Sequence, residues 1–241
     1  MTYIVSNEPW LGRVPSDWTR SRIRNVAEIS PGFSDDPPRS DELCTVVPME
    51  RLFDDGTIDL SIQVPHEDIQ SGLTLFESGD VLFAKITPCM ENGKGAFVRE
   101  LPTRYAFGST EFHVLRPRSQ INGKFLYYYT YNPAFRDYAA ENMTGAAGLK
   151  RVSSRFIKDT RIFLPTLQEQ KSIVKYLDVC CAIIDKLALF GKKNENLSIK
   201  DGVLNNQIAA LIDYRKSLIH ECVTGQRRIT EEDVARAQKL E

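Results

Sequence analysis

The rhythm of apolar residues changes once along the chain, near Pro165. Before that point, short apolar runs such as Val81-Leu82-Phe83-Ala84, Ala96-Phe97-Val98 and Phe112-His113-Val114-Leu115 lie between clusters of Gly, Pro, Asn and Asp, as strands lie between turns. This half reads as mainly β. Two short helices are predicted inside it, one over 122–131 and one after Pro133, where Phe135, Tyr138 and Ala139 share a helical spacing. Pro37-Pro38, Pro102, Pro117 and Pro165 mark loops or strand ends, because proline cannot donate to a sheet ladder.

After Pro165 the period lengthens. Thr166-Leu167-Gln168-Glu169 fits a capping box, in which the Thr166 hydroxyl accepts from the Glu169 amide and the Glu169 side chain reaches back. Ile173, Leu177, Cys180, Ile184 and Leu187 then recur at alternating steps of four and three, one narrow apolar seam along a helix. Gly191 with Lys192 and Lys193 predicts its C-terminal stop. A polar link over 194–200 leads to a second helix over 201–223, with Leu204, Ile208, Leu211, Leu218 and Cys222 on one seam and Arg215 at the seam position between. Thr224-Gly225 ends it, and the polar tail beyond holds a short helix capped by Thr230.

Two helices, each roughly 30 Å long at 1.5 Å per residue and joined by a short link, are expected to fold back antiparallel. Val174, Ile183, Ile212, Ile219 and Val223 lie off the seams and need a further cover, either the β half or another chain. The length and narrowness of the helices favour another chain. The expected fold class is therefore α+β: a mainly β domain over 1–165, a long antiparallel, coiled-coil-like helical hairpin over 166–225, and a polar C-terminal tail over 226–241.

Composition adds boundaries to this picture. With 241 residues, 42% of them hydrophobic, the chain can build a real core. Its 31 Lys+Arg against 32 Asp+Glu leave no overall field for nucleic acid or membrane, so any DNA affinity must be local. The five cysteines, at 44, 89, 180, 181 and 222, form no C-x-x-C pair and leave one over, which argues against a disulfide framework or zinc ribbon and for a reduced cytoplasm. The first residues lack a basic segment followed by an apolar one, and no run of about 18 apolar residues occurs, so export and membrane spanning are disfavoured.

Catalytic chemistry finds little support. His66, His113 and His220 fall in a loop, a strand and a helix without metal-site spacing, and no G-x-x-x-x-G-K-[ST] phosphate loop is present. Glu169-Gln170-Lys171 is accounted for by the helix cap. Asn132-Pro133-Ala134-Phe135 is similar to the N-P-P-[FY] loop of amino-methyltransferases, but without a Gly-rich AdoMet loop it reads as a turn and helix start. A nuclease would need a carboxylate and metal cluster, and the sequence offers none.

Binding chemistry remains. Gly79-Asp80 opens a strand carrying Lys85, and the loop Thr87-Pro88-Cys89-Met90-Glu91-Asn92-Gly93-Lys94-Gly95 adds a second cation, an amide suited to an adenine edge, and glycines that permit close approach. Between Lys150 and Arg161, five basic residues (150, 151, 155, 158 and 161) face one acid, Asp159. Tyr127, Tyr128, Tyr129 and Tyr131 with Arg136 are candidates to extend that surface. A polar hairpin loop and a charge-guarded strand edge would have the same composition.

Taken in order, these stretches resemble the DNA specificity (S) subunit of type I restriction-modification enzymes. The likeness runs from Trp10 to about Gly225. Residues 10–18, WLGRVPSDW, resemble the family's G-x-x-P-x-x-W opening; 79–98, GDVLFAKITPCMENGKGAFV, its central strand and loop; and 107–117, FGSTEFHVLRP, the strand pair that follows. Residues 145–165, GAAGLKRVSSRFIKDTRIFLP, with Leu167, Glu169 and Gln170, resemble its junction between recognition domain and spacer helix, and 215–225 the end of its second helix.

The resemblance implies a non-catalytic subunit that binds double-stranded DNA. It would select targets for modification subunits, which methylate adenine with AdoMet, and for restriction subunits, which use ATP and Mg; the chain itself would need no cofactor. Family members carry two recognition domains and read a bipartite target. One recognition domain here implies a half subunit that forms a homodimer and reads an inverted repeat.

On this reading residues 1–165 set their loops into the major groove, with Lys85, Asn92, Lys94, Lys150, Arg151, Ser153 and Arg155 as the expected contacts. Asn92 and Arg151 would read bases, and the lysines and Ser153 would hold phosphates. Ile173, Leu177, Ile184, Leu204, Leu211 and Leu218 would hold the helical hairpin or its partner. The alternative is a protein-binding adaptor that uses the hairpin without reading DNA.

Overall fold

The computed structural model describes residues 2–146, 148–193 and 201–240, the side chains of 190–193 and 201–204 excepted. In chain order the elements are β1 (Tyr3–Val5), β2 (Arg13–Pro15), β3 (Thr19–Arg22), α1 (Ile23–Val26), β4 (Ala27–Ile29), β5 (Leu43–Val47), β6 (Gln63–Pro65) and β7 (Thr74–Phe76). They continue with β8 (Val81–Ala84), β9 (Gly95–Phe97), β10 (Ala106–Gly108), β11 (Phe112–Pro117), α2 (Gly123–Tyr131), α3 (Pro133–Glu141), β12 (Thr144–Ala146) and β13 (Leu149–Arg151). Then follow α4 (Ser154–Asp159), β14 (Arg161–Leu164), α5 (Leu167–Lys193), α6 (Asp201–Thr224) and α7 (Glu231–Gln238).

Two four-stranded sheets carry the β half, in the orders β6-β5-β10-β7 and β4-β11-β8-β9. Strand β8 shows why. All four of its residues are buried, with Leu82 in the core that joins the two sheets and Val81 and Phe83 in the core under the helices. A strand covered on both faces reads as a continuous apolar run rather than an alternating one, which is the pattern of Val81–Ala84.

The Gly79-Asp80 pair before β8 is structural. Gly79 turns the chain at φ +92°, and the buried Asp80 carboxylate receives Arg116 Nε at 2.9 Å and Nη2 at 2.8 Å. Burial raises the Asp80 carboxyl above its ordinary range, opposed by the hydrogen bonds from Arg116 and from the Glu77 amide.

Helices α2 and α3 begin at asparagine caps. Asn122 Oδ1 accepts from the amides of Lys124 and Phe125, and Asn132 Oδ1 accepts from that of Ala134, with Pro133 in the first turn. The tyrosines of α2 do not extend a basic surface. Tyr127, Tyr128 and Tyr129 are buried, Tyr131 is half-buried and Arg136 is only 5% exposed, because the helix lies between the sheet and the later helices.

Helices α5 and α6 pack antiparallel: Asp185 meets Arg215 at 3.4 Å, while Tyr176 lies under Arg227. The Thr166 hydroxyl accepts from the Glu169 amide at 3.2 Å as expected, but the Glu169 carboxylate turns instead to Arg228 at 2.6 Å, an ion-pair partner supplied from far along the chain. The helix also continues through Gly191 to Lys193, since a glycine inside a helix costs only about 1 kcal/mol.

Ile173, Leu177, Ile184 and Leu218 are buried, Leu211 is half-buried, and Leu187 is 51% exposed. The side chain of Leu204 and the link 194–200 lie outside the described residues. Val174, Ile219 and Val223 are covered within this chain, and Tyr128 Oη donates to Asp178 at 2.7 Å, so the base of the helix pair is joined to the β half. Each such fully buried side chain contributes about 1.5–3 kcal/mol relative to exposure.

The segment beyond 225 is more than a tail. Thr230 and Asp233 form a capping box for α7, and Val234 and Ala237 are buried where α7 meets α5. Gly225, at φ +75°, packs so closely on Pro15 that a Cβ would stand 2.5 Å from its ring. Arg228 also reaches Asp17 at 3.0 Å, so the end of α6 closes onto the Trp10–Trp18 opening.

Candidate nucleic-acid interface

The two stretches expected to bind DNA meet at the end of β8. Val152 donates its amide to the Lys85 carbonyl at 2.9 Å, Thr87 donates to the Lys150 carbonyl at 3.0 Å, and the Thr87 hydroxyl donates to Gly148 at 2.5 Å. Lys150 returns its amide to Thr87 Oγ1 at 3.1 Å. The β12–β13 hairpin is thereby attached to the strand that carries Lys85.

Among the described residues of that hairpin, every one is exposed. Leu149 is 56% exposed. Gly145, at φ +137°, could not carry a side chain, because a Cβ would lie 2.5 Å from the Leu149 carbonyl. A protruding two-stranded ribbon is one of the two shapes that the DNA major groove admits.

Electrostatics orient the hairpin base. Arg151 forks onto Glu111, with Nη2 at 2.6 Å and Nε at 3.0 Å, and this hydrogen bonding holds the Glu111 carboxyl below its usual range. Buried His113 lies with Nε2 2.8 Å from the Val152 carbonyl, so that nitrogen must donate. Burial pushes the His113 ring down, and it is neutral at pH 7. Lys85 Nζ donates to the Thr110 carbonyl at 2.6 Å.

The 87–94 loop is built from below. Arg136, buried over the Phe83 ring at 4.2 Å, donates to the Thr130 carbonyl at 2.7 Å and the Met90 carbonyl at 3.0 Å, and reaches that of Lys94 at 3.4 Å. Burial lowers its guanidinium to about 10, still charged at neutral pH. Asn92 is exposed at the loop tip, whereas Lys94 Nζ turns to the Met49 carbonyl at 3.2 Å. Ser153 caps α4 by accepting from the Phe156 amide at 3.1 Å, and Arg155, 91% exposed, faces Asp159 at 3.7 Å.

Lys85, Lys150 and Arg151 therefore share one surface, Ser153 and Arg155 stand beside it on α4, and Lys94 is engaged elsewhere. Glu111, which the sequence did not single out, organises the surface with Thr87 from the expected loop, and Arg136, expected to extend the basic surface, instead supports the loop from the interior. Glu111 and Arg136 lie 40 and 46 residues from the groups they hold, so no local spacing marks them. Among the described residues, no group of three or more His, Cys, Asp or Glu side chains is placed to hold a metal ion, and no helix is long and apolar enough to cross a membrane.

A family model for the type I restriction modification DNA specificity domain matches residues 15–196. The chain is 35% identical over 186 residues to the Escherichia coli type I restriction enzyme EcoAI specificity subunit, covering 76% of this chain and 31% of that protein. It is 32% identical over 179 residues to the EcoEI specificity subunit of the same organism, covering 72% of this chain and 29% of that one. The chain thus spans about a third of the length of these curated relatives. The crystal structure of the HsdS subunit from Thermoanaerobacter tengcongensis shares the fold, with a TM-score of 0.58 at 20% identity over 76% of this chain and 46% of that one.

Proposed function

The chain belongs to the type I restriction modification DNA specificity domain family, and from that premise we propose that it reads duplex DNA and catalyses nothing itself. The observation that carries the reading is the exposed β12–β13 ribbon, which carries Lys150 and Arg151 on β13 and is fixed at its base to Lys85. The ribbon enters the major groove, Arg151 addresses a base edge once released from Glu111, and Lys85, Lys150 and Arg155 lie toward phosphates.

Chemistry comes from partners. Modification subunits supply AdoMet-dependent adenine methylation, and restriction subunits supply ATP- and Mg-dependent restriction, in the cytoplasm where the DNA is. The target is bipartite, and a second copy of the chain reads the other half. Leu187, Leu189, Ile212 and Tyr214, exposed along α5 and α6, support self-association through the helix pair.

The test is duplex binding by the chain assembled with its modification subunits, comparing wild type with Lys150→Ala/Arg151→Ala. The wild type should lose affinity steeply between about 50 and 200 mM salt, and the double variant should bind more weakly and methylate fewer sites. Unchanged binding and an unchanged methylation pattern would sink the assignment. Affinity for modification subunits alone, with no salt-dependent DNA binding, would favour a protein-only adaptor.

A further inference from the structure

A second basic surface lies at the opposite end of α4 from the ribbon, and the sequence stretch that creates it, Arg20-Ser21-Arg22-Ile23-Arg24, falls outside the binding loops. Arg22 Nη1 and Arg24 Nη1 approach the same Asp159 oxygen at 3.3 and 2.7 Å, and Arg155 approaches the other at 3.7 Å. One carboxylate serves three guanidiniums. Arg161 has its own partner, Glu8, at 2.7 Å, while Arg20 is in no ion pair among the described residues. Four arginines of β3, α1 and β14, with Arg155 between them and the ribbon, meet two carboxylates, in a protein whose overall charge is balanced.

The sheet register places Arg161 directly opposite Arg22 in the β3–β14 pair. Like charges in that position are destabilising, so the arrangement is not explained by the stability of the sheet. The arginines also shape a concave surface. Arg20, Arg22, Arg24 and Arg161 line a depression of about 380 Å³ with Ser21 and Asn25, and Asp159 joins it to a second one of about 330 Å³ that includes Ser153 and Arg155.

We propose that this arginine face holds the sugar-phosphate backbone of the DNA whose groove the β12–β13 ribbon enters, with Asp159 keeping the guanidiniums in place until phosphates arrive. The proposal rests on the DNA-reading function above and extends it to a second contact. The six residues of α4 separate face from ribbon by about 9 Å at 1.5 Å per residue. Over such a distance duplex DNA presents on the order of five phosphate charges. Arg22 and Arg24 are 41% and 51% exposed in their pairs with Asp159, so these contacts are worth little in water. Bidentate guanidinium–phosphate bonds can replace them.

The experiment measures binding of a random-sequence duplex of about 30 base pairs across a salt series, using the full chain assembled with its modification subunits. Arg20→Ala/Arg22→Ala/Arg24→Ala should lower affinity roughly tenfold or more near 50 mM salt and make the salt slope shallower by about 2 to 3. Asp159→Asn, which frees the same arginines, should raise affinity by roughly threefold. Matching thermal melts of wild type and variants confirm that each is folded.

A wild type that binds and a triple variant with the same slope would overturn the arginine face alone. Absence of salt-dependent binding by the wild type would overturn the DNA-reading function, and this face with it. Retained DNA binding with loss of modification subunits from the triple variant would identify the face as a contact for an acidic protein surface, and would equally overturn the proposal.

Discussion

The 87–94 loop and the β12–β13 hairpin are similar in composition, each a glycine-containing polar segment with a lysine, yet the fold treats them in opposite ways. The loop is held from beneath by a buried guanidinium that donates to carbonyls on both sides of it, and Met90 is sunk in the core. Among its described residues the hairpin has none in the core, and it is attached at its base through Lys85, Thr87 and Val152. One segment is a frame and the other is presented by it. Cation content alone therefore does not distinguish a binding element from a scaffold; what distinguishes them is whether the polar groups are already satisfied by the protein.

The largest break in that contrast is Arg136→Met. It keeps much of the side-chain volume but leaves the Thr130 carbonyl without this donor and removes one of two from the Met90 carbonyl, which still accepts from the Gly93 amide, and should cost about 2 kcal/mol at one to three per stranded group. Urea unfolding monitored by circular dichroism measures it, and a loss near zero would mean that the loop is not built on this residue.

A smaller effect comes from acid. Both His113 and Glu111, at the hairpin base, have folded values lowered from their ordinary ones, His113 first by burial and Glu111 first by the Arg151 hydrogen bond. Their contribution is fully present above the unfolded values, about 6.5 and 4.3, and is lost as pH falls through the lower folded ones. Thermal stability should decline from pH 7 toward pH 4, with His113→Asn flattening the upper part of the decline; a variant that follows the wild-type curve throughout would remove His113 from this account.

The smallest expected change sharpens the comparison from the other side. Leu149→Ala with Lys150→Ala should leave stability within about 0.5 kcal/mol, as for surface positions generally, while weakening duplex binding. A large drop in melting temperature would show that the hairpin is part of the scaffold after all.

How much of this was legible depends on the range of the interaction. The caps at Asn122 and Asn132, the Thr166 hydroxyl bond and the Gly225 stop are local, and each is marked by a residue type at a fixed offset. The basic residues near 150 were also visible as a local excess. Their roles were not, since Ser153 is a helix cap and Lys94 is turned inward to Met49. The tyrosines of α2 were candidates for the surface although tyrosines at helical spacing are more often packing residues, and burial between two layers decided for packing.

By itself, the sequence determined the change from short strands to long helices at Pro165, the helix boundaries at Asn122, Asn132, Thr166 and Gly225 though not the stop expected at Gly191, and a family likeness held in ordered motifs. These follow from short-range rules: backbone conformation, hydrogen bonds a few residues away, and apolar periodicity. Only the tertiary structure decided which cations face solvent, which carboxylate each arginine meets, and that Arg22 and Arg24 share Asp159, more than 130 residues away. Charges and carbonyls find partners by distance in space, and where chain separation is large no pattern along the sequence encodes that distance.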